Sequence, residues 1–118
     1  LKILANSFGK EEKLCSEKDI EALYKTGTSF LNHPVVIYFL PQPQLRYTRV
    51  LVSVSKKKFK KAVDRNLLKR RLREAYRHHK SLLDKKGFLG LVYIGQEALP
   101  LASIEKSVKA GLLKLMQE

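Results

Sequence analysis

Apolar residues recur along this chain in two rhythms, one helical and one extended. Ile20, Leu23 and Tyr24 fall on one helical face. Ser16 stands where an N-cap belongs, Asp19 follows as a weaker relative of the capping box, and Gly27 is placed to end the run. The pattern predicts a helix over 16–26, after an extended lead-in of a dozen residues. Residues 35–40 are a dense β-branched and aromatic run between Pro34 and Pro41, which reads as a strand. Pro41 to Gln44 reads as a hairpin connection, with 46–55 as the return strand. In that strand Val50, Val52 and Val54 alternate with Leu51, Ser53 and Ser55, giving one apolar and one mixed face. Residues 28–31 add a short first strand, and 56–61 form a basic loop. A long helix follows over 62–83, then Gly87, a strand over 88–94, and a last helix capped by Ser103. The order is α-β-β-β-α-β-α, an α+β sandwich with one sheet packed against helices in a single domain over 1–118.

The long helix has two unlike faces. Leu68, Leu72, Ala75, Tyr76, Leu82 and Leu83 gather in one apolar sector that must lie on the sheet. Arg65, Lys69, Arg73 and Arg77 form a column at four-residue spacing, with Asn66 and Arg70 beside it. Asp64 suits the positive end of the helix dipole. Glu74 is the one acid between Arg65 and Lys80, and the wheel points it away from the column. Like charges one turn apart repel, so such a stripe calls for an outside polyanion. Arginine grips phosphate with a planar fork, and Asn66 can read a base edge or a 2′-hydroxyl.

Charge sharpens this reading. The net charge is +13, and 46–80 hold fourteen Lys and Arg against two acids. One concentrated basic block faces RNA, DNA or an anionic membrane. No run of eighteen apolar residues exists, and the apolar opening from Leu1 to Ala5 is too short for a signal-peptide core. One cysteine, Cys15, forms no internal disulfide, so the cytoplasm is the expected compartment.

Residues 52–57 read Val-Ser-Val-Ser-Lys-Lys, and residues 61–77 read Lys-Ala-Val-Asp-Arg-Asn-Leu-Leu-Lys-Arg-Arg-Leu-Arg-Glu-Ala-Tyr-Arg. Together they resemble the signature of the bacterial ribonuclease P protein: a strand ending Ser-x-Ser-Lys-Lys, a short loop, then a basic helix. Lys25 to Ser29 resembles the turn after that family's first helix, and the resemblance covers nearly the whole chain. Leu67 departs from the pattern, standing where the family has arginine. The resemblance implies a left-handed crossover around the basic helix. It also implies a protein subunit that assists a catalytic RNA in removing the 5′ leader from precursor tRNA, with Mg2+ at the RNA. Carried over, Lys56, Lys57, Lys61, Arg65, Asn66, Lys69, Arg70, Arg73 and Arg77 contact RNA. Ile20, Tyr24, Tyr38, Ser53 and Ser55 line a cleft for the leader, where bases stack on rings without sequence preference.

Catalysis by the protein itself is not expected. His78 and His79 are adjacent on a helix and do not face each other, Cys15 has no partner motif, and no phosphate-binding glycine loop is present. Two other readings compete. A structural RNA binder such as a ribosomal protein shares the electrostatics but has no leader cleft. A DNA-binding module needs a helix-turn-helix, whereas strands flank this helix.

Overall fold

The computed structural model describes residues 12–117. Most of the expected lead-in therefore lies outside the described residues. The elements are α1 (Glu17–Thr26), β1 (Thr28–Asn32), β2 (Val35–Pro41), β3 (Arg49–Val54), α2 (Ala62–His79), β4 (Gly87–Tyr93) and α3 (Leu101–Leu115). This is the order the hydrophobic pattern predicts. Ser16 caps α1, its side chain accepting from the Asp19 amide, and the Gly27 amide closes the helix on Leu23 O. Gly27 is required by close approach, since a Cβ there would stand 2.5 Å from Leu23 O and 3.0 Å from Phe39 O.

The sheet order is β1-β2-β4-β3. β1 and β2 form the true hairpin, turning at His33–Pro34, with Asn32 opposite Val35. The expected hairpin through Pro41 to Gln44 is not there: β4 lies between β2 and β3, antiparallel to the first and parallel to the second. The reason is burial. Six of the seven β4 residues are buried, so both its faces need cover and both its edges need a strand. β3, with its polar outer positions, goes to an edge, and α2 becomes the crossover joining two parallel neighbours.

Alternation along the strands sorts the interior into two layers. Val35, Ile37, Phe39, Val50, Val54, Leu89, Leu91 and Tyr93 pack with Leu68, Leu72, Ala75 and Tyr76 of α2 and with α3. On the opposite face Leu14, Leu23 and Phe88 form a smaller cluster with Ile20, Tyr38, Leu40 and Leu51. The apolar sector of α2 and the valine face of β3 thus lie where the periodicities place them, with Leu83 partly buried against the larger core.

Three boundaries differ from expectation. α2 ends at His79, and a 3₁₀ turn follows over Lys80–Leu82. β3 starts at Arg49, leaving Arg46 to Thr48 outside the ladder. α3 begins at Leu101 behind Pro100, whose carbonyl accepts the Ser103 and Ile104 amides. Ser103 is therefore inside the helix, because Pro100 keeps Leu99 out of the helical region and itself takes the extended N-cap position, so the helix opens at Leu101.

Candidate nucleic-acid interface

Two surfaces flank β3. The first is the loop after β3 together with the outer side of α2. Phe59, 8% exposed, anchors the loop in the larger core and meets Tyr93 edge-on with ring centroids 5.9 Å apart. The Ser55 hydroxyl accepts the Lys57 amide at 3.1 Å, and the Phe59 amide donates to Ser55 O at 3.1 Å. Lys58 Nζ donates to Ile94 O at 2.7 Å. Arg65 Nη1 donates to Phe59 O at 2.8 Å and to Lys60 O at 2.9 Å. The loop is thus pinned from inside, and Lys56, Lys57, Lys60 and Lys61 stand exposed upon it.

On α2, Asn66, Arg70 and Arg73 are exposed and Lys69 is half-buried. Among the described residues, no ion pair involves Lys56, Lys57, Lys60, Lys61, Lys69, Arg70 or Arg73. Glu74, by contrast, does not point away from the column. It accepts from Arg77 Nε at 2.9 and 3.1 Å, because long side chains three positions apart reach across the angle that separates their Cβ atoms. The Arg77 hydrogen bond holds the Glu74 carboxyl below its ordinary range. Arg77 Nη2 also lies 2.8 Å from His78 Nε2. Both histidines reach one carboxylate, His78 Nδ1 at 2.7 Å and His79 Nε2 at 3.4 Å from Glu105 Oε2. They tie α2 to α3, an arrangement their adjacency alone did not suggest. Arg71 adds a bond to Leu99 O at 2.6 Å. Leu67 is half-buried, and Val63 one turn before it is 77% exposed.

The second surface is the sheet face that α1 only partly covers. Leu23 sits over Gly90, where a Cβ would meet Leu23 Cδ2 at 3.1 Å. Beside it the Tyr24 and Tyr38 rings pack edge-on, centroids 4.8 Å apart. Tyr24 is 39% exposed; burial and the neighbouring Tyr38 push its phenol above the ordinary value, so it stays a hydrogen-bond donor. The next row across the sheet is Leu31, Val36, Val92 and Ser53. Alternation puts these on the same face as Tyr38, and Val36, Val92 and Ser53 are half-exposed. The result is an open apolar shelf with two tyrosines at one side and the Ser53 hydroxyl at the other. It lies across the sheet from the layer that packs on α2.

The family model for ribonuclease P matches residues 8–116. The chain belongs to the ribonuclease P protein family. It is 40% identical over 112 residues to the ribonuclease P protein component of Streptococcus pneumoniae (strain Hungary19A-6), covering 92% of this chain and 89% of that protein. Its identity to the Porphyromonas gingivalis component is 30% over 115 residues, covering 90% and 84%. The solved Staphylococcus aureus RNase P protein superposes with a TM-score of 0.75 at 29% identity, covering 90% of this chain and 95% of that one. The role of this chain is accordingly that of a ribonuclease P subunit in tRNA processing.

In this ribonuclease P protein the predicted site residues divide into three groups, with Ile20 and Ser55 standing apart. Lys56, Lys57, Lys61, Asn66, Lys69, Arg70 and Arg73 share the outer surface of the loop and α2. Arg65 and Arg77 adjoin them but are engaged within the protein, Arg65 on backbone carbonyls and Arg77 on Glu74. Tyr24, Tyr38 and Ser53 meet at the shelf, and Ile20 is drawn into the small cluster beneath α1. Ser55, two residues beyond Ser53, lends its hydroxyl to the loop turn. Sequence reasoning missed Phe59, Val36 and Val92. The two-residue period from Tyr38 pointed to Val36, whereas Val92 required the register with β4.

One consequence is local. Arg65→Ala is expected to accelerate amide hydrogen exchange across 56–61 about tenfold, since charged hydrogen bonds contribute about 1.5–3 kcal/mol. Exchange mass spectrometry showing an unchanged loop would remove Arg65 from this clamping role.

Proposed function

We propose that this subunit binds the catalytic RNA of ribonuclease P through the pinned lysine loop and the outer side of α2. In the same reading it holds the 5′ leader of precursor tRNA on the shelf beside Tyr24 and Tyr38. The observation that carries the first part is the set of cations on the loop and α2 without internal counter-charges. Such a ridge is stabilised when phosphates supply the missing negative charge and release their counterions. The second part rests on the paired rings and the half-exposed apolar row, since unpaired bases stack on aromatic faces without sequence preference. This open shelf favours a leader-handling subunit over a purely structural RNA binder.

The RNA performs the chemistry in this account. Water attacks the phosphodiester, the leader departs with a 3′-hydroxyl, and the tRNA keeps the 5′ phosphate. Magnesium held by the RNA would stabilise the charge that develops at phosphorus. Among the described residues no three His, Cys, Asp or Glu side chains gather to hold a metal, so no step is assigned to an ion on the protein. The protein's part is to neutralise phosphates and fix the leader's path, in the cytoplasm where tRNA matures.

Tyr38→Ala tests the shelf. The holoenzyme carrying it is expected to bind leader-bearing precursor tRNA roughly tenfold more weakly, with binding of mature tRNA unchanged. Equal losses for both tRNAs would remove the leader from the shelf.

A further inference from the structure

At the end of α2 far from the lysine loop, the 3₁₀ turn and the chain leading into β4 face the segment before β3. Between them lies a depression of about 400 Å³, within the size range of small-ligand sites. Tyr76, 3% exposed, and the ion pair of Lys80 Nζ with Glu12 at 2.8 and 2.9 Å line its depth. Its walls are braced against each other. Thr48 Oγ1 donates to Lys85 O at 3.2 Å and accepts the Gly87 amide at 3.3 Å, and the Gln42 amide donates to Lys86 O at 2.9 Å. Arg46 and Lys86 are exposed on the lining, and neither forms an ion pair among the described residues. The Arg46 guanidinium lies over the Tyr47 ring, 5.9 Å from its centroid. The same two residues, with Arg49, line a second depression of about 220 Å³, so they form a wall between two hollows.

This place continues the α2 ridge. Lys80, the first residue of the 3₁₀ turn, follows Arg73 by seven positions, and Tyr76 lies between them on the core-facing side of α2. A strand tracking Lys69 and Arg73 toward the end of α2 would reach the depression within a few residues' length of the helix. Phosphate-binding cations beside a flat aromatic surface are the chemistry that single-stranded RNA needs. The acid at the rim is Asp84, an acceptor suited to a base's amino edge.

We propose that this depression takes one unpaired nucleotide of the RNA gripped by α2, with its phosphate at Arg46 and Lys86 and its base against Tyr47. The proposal rests on the reading of α2 as the surface that binds the catalytic RNA. It adds an anchor that fixes how far along the helix the RNA sits.

The test measures catalytic-RNA affinity across a salt series for the full-length protein and four variants: Tyr47→Ala, Tyr47→Phe, Lys86→Ala and the Lys69→Ala/Arg73→Ala double variant. Tyr47→Ala is expected to bind about tenfold more weakly with an unchanged salt slope, because stacking releases no counterion. Tyr47→Phe should stay within about twofold, since the ring face is kept. Lys86→Ala should weaken binding and lower the log-log slope by about 0.7. If Tyr47→Ala and Lys86→Ala match the wild type while the double variant loses binding, the nucleotide site is wrong and the α2 reading stands. If the double variant also matches the wild type, both fall. Loss in Tyr47→Phe equal to that in Tyr47→Ala overturns stacking. Melting curves check that Tyr47→Ala is folded, and Lys86→Ala, altered at an exposed side chain, carries the test if it is not.

Discussion

With Lys69 and Arg73 both replaced by alanine, affinity for the catalytic RNA is expected to fall roughly a hundredfold at physiological salt. Charged hydrogen bonds contribute about 1.5–3 kcal/mol each, which is tenfold or more per contact. The log-log salt dependence should flatten by about 1.8, or 0.9 per lost phosphate contact on duplex. Neither side chain has an acidic partner among the described residues, so alanine leaves no orphaned carboxylate behind. Removing like charges at four-residue spacing also relieves repulsion along the helix. Thermal stability should hold or rise slightly while binding collapses, a split that a loss of folding would not produce. Anisotropy titrations at several salt concentrations, paired with melting curves, read both effects. Unchanged affinity and slope would remove the α2 ridge from the interface.

Phe59→Ala is the counterpart, a change at a residue the solvent barely touches. Its ring is buried in the larger core against Tyr93, its amide bonds Ser55, and its carbonyl receives Arg65. Truncating a buried phenylalanine costs about 3–5 kcal/mol, a large share of the stability of a domain this size. Urea unfolding should show that loss, with Phe59→Leu losing much less. RNA affinity of the fraction still folded should also fall, because the lysines would no longer be presented on a fixed turn. A variant as stable as the wild type would mean that the loop is held by its backbone contacts alone.

How much of this was legible beforehand depends on the range of the interaction that decides each feature. Ser16, Gly27 and the spacing of Leu68, Leu72 and Tyr76 are local signals, and they placed α1 and the buried face of α2 correctly. The pairing of β2 with β4 is not local. Two strands joined by a Pro-rich segment read as a hairpin until a third, more apolar strand competes for the place between them. β4 wins because nearly every residue in it is buried. Pro100 and Ser103 are both acceptable helix starts, and the proline, being first in the chain, settled the boundary.

The proposed binding surface divides in the same way. The α2 column follows from helical spacing alone, and the structure keeps Lys69, Arg70 and Arg73 on one outer surface. A wheel fixes Cβ directions but not where seven-atom side chains end, so it missed the Glu74–Arg77 pair and the Arg65 clamp. The shelf was legible only in part. Tyr24 and Tyr38 came from the family resemblance, whereas Val36 and Val92 join them through registers that no single strand encodes.

The measurement closest to the central claim is cleavage of a precursor tRNA by a bacterial ribonuclease P RNA at limiting magnesium. It is run with the RNA alone, with the wild-type protein, and with the Lys69→Ala/Arg73→Ala variant. A subunit that neutralises phosphates and holds the leader should stimulate cleavage strongly, and the double variant should lose that stimulation and recover it as protein concentration rises. Wild-type protein that binds the RNA yet leaves cleavage at the rate of the RNA alone would contradict the account.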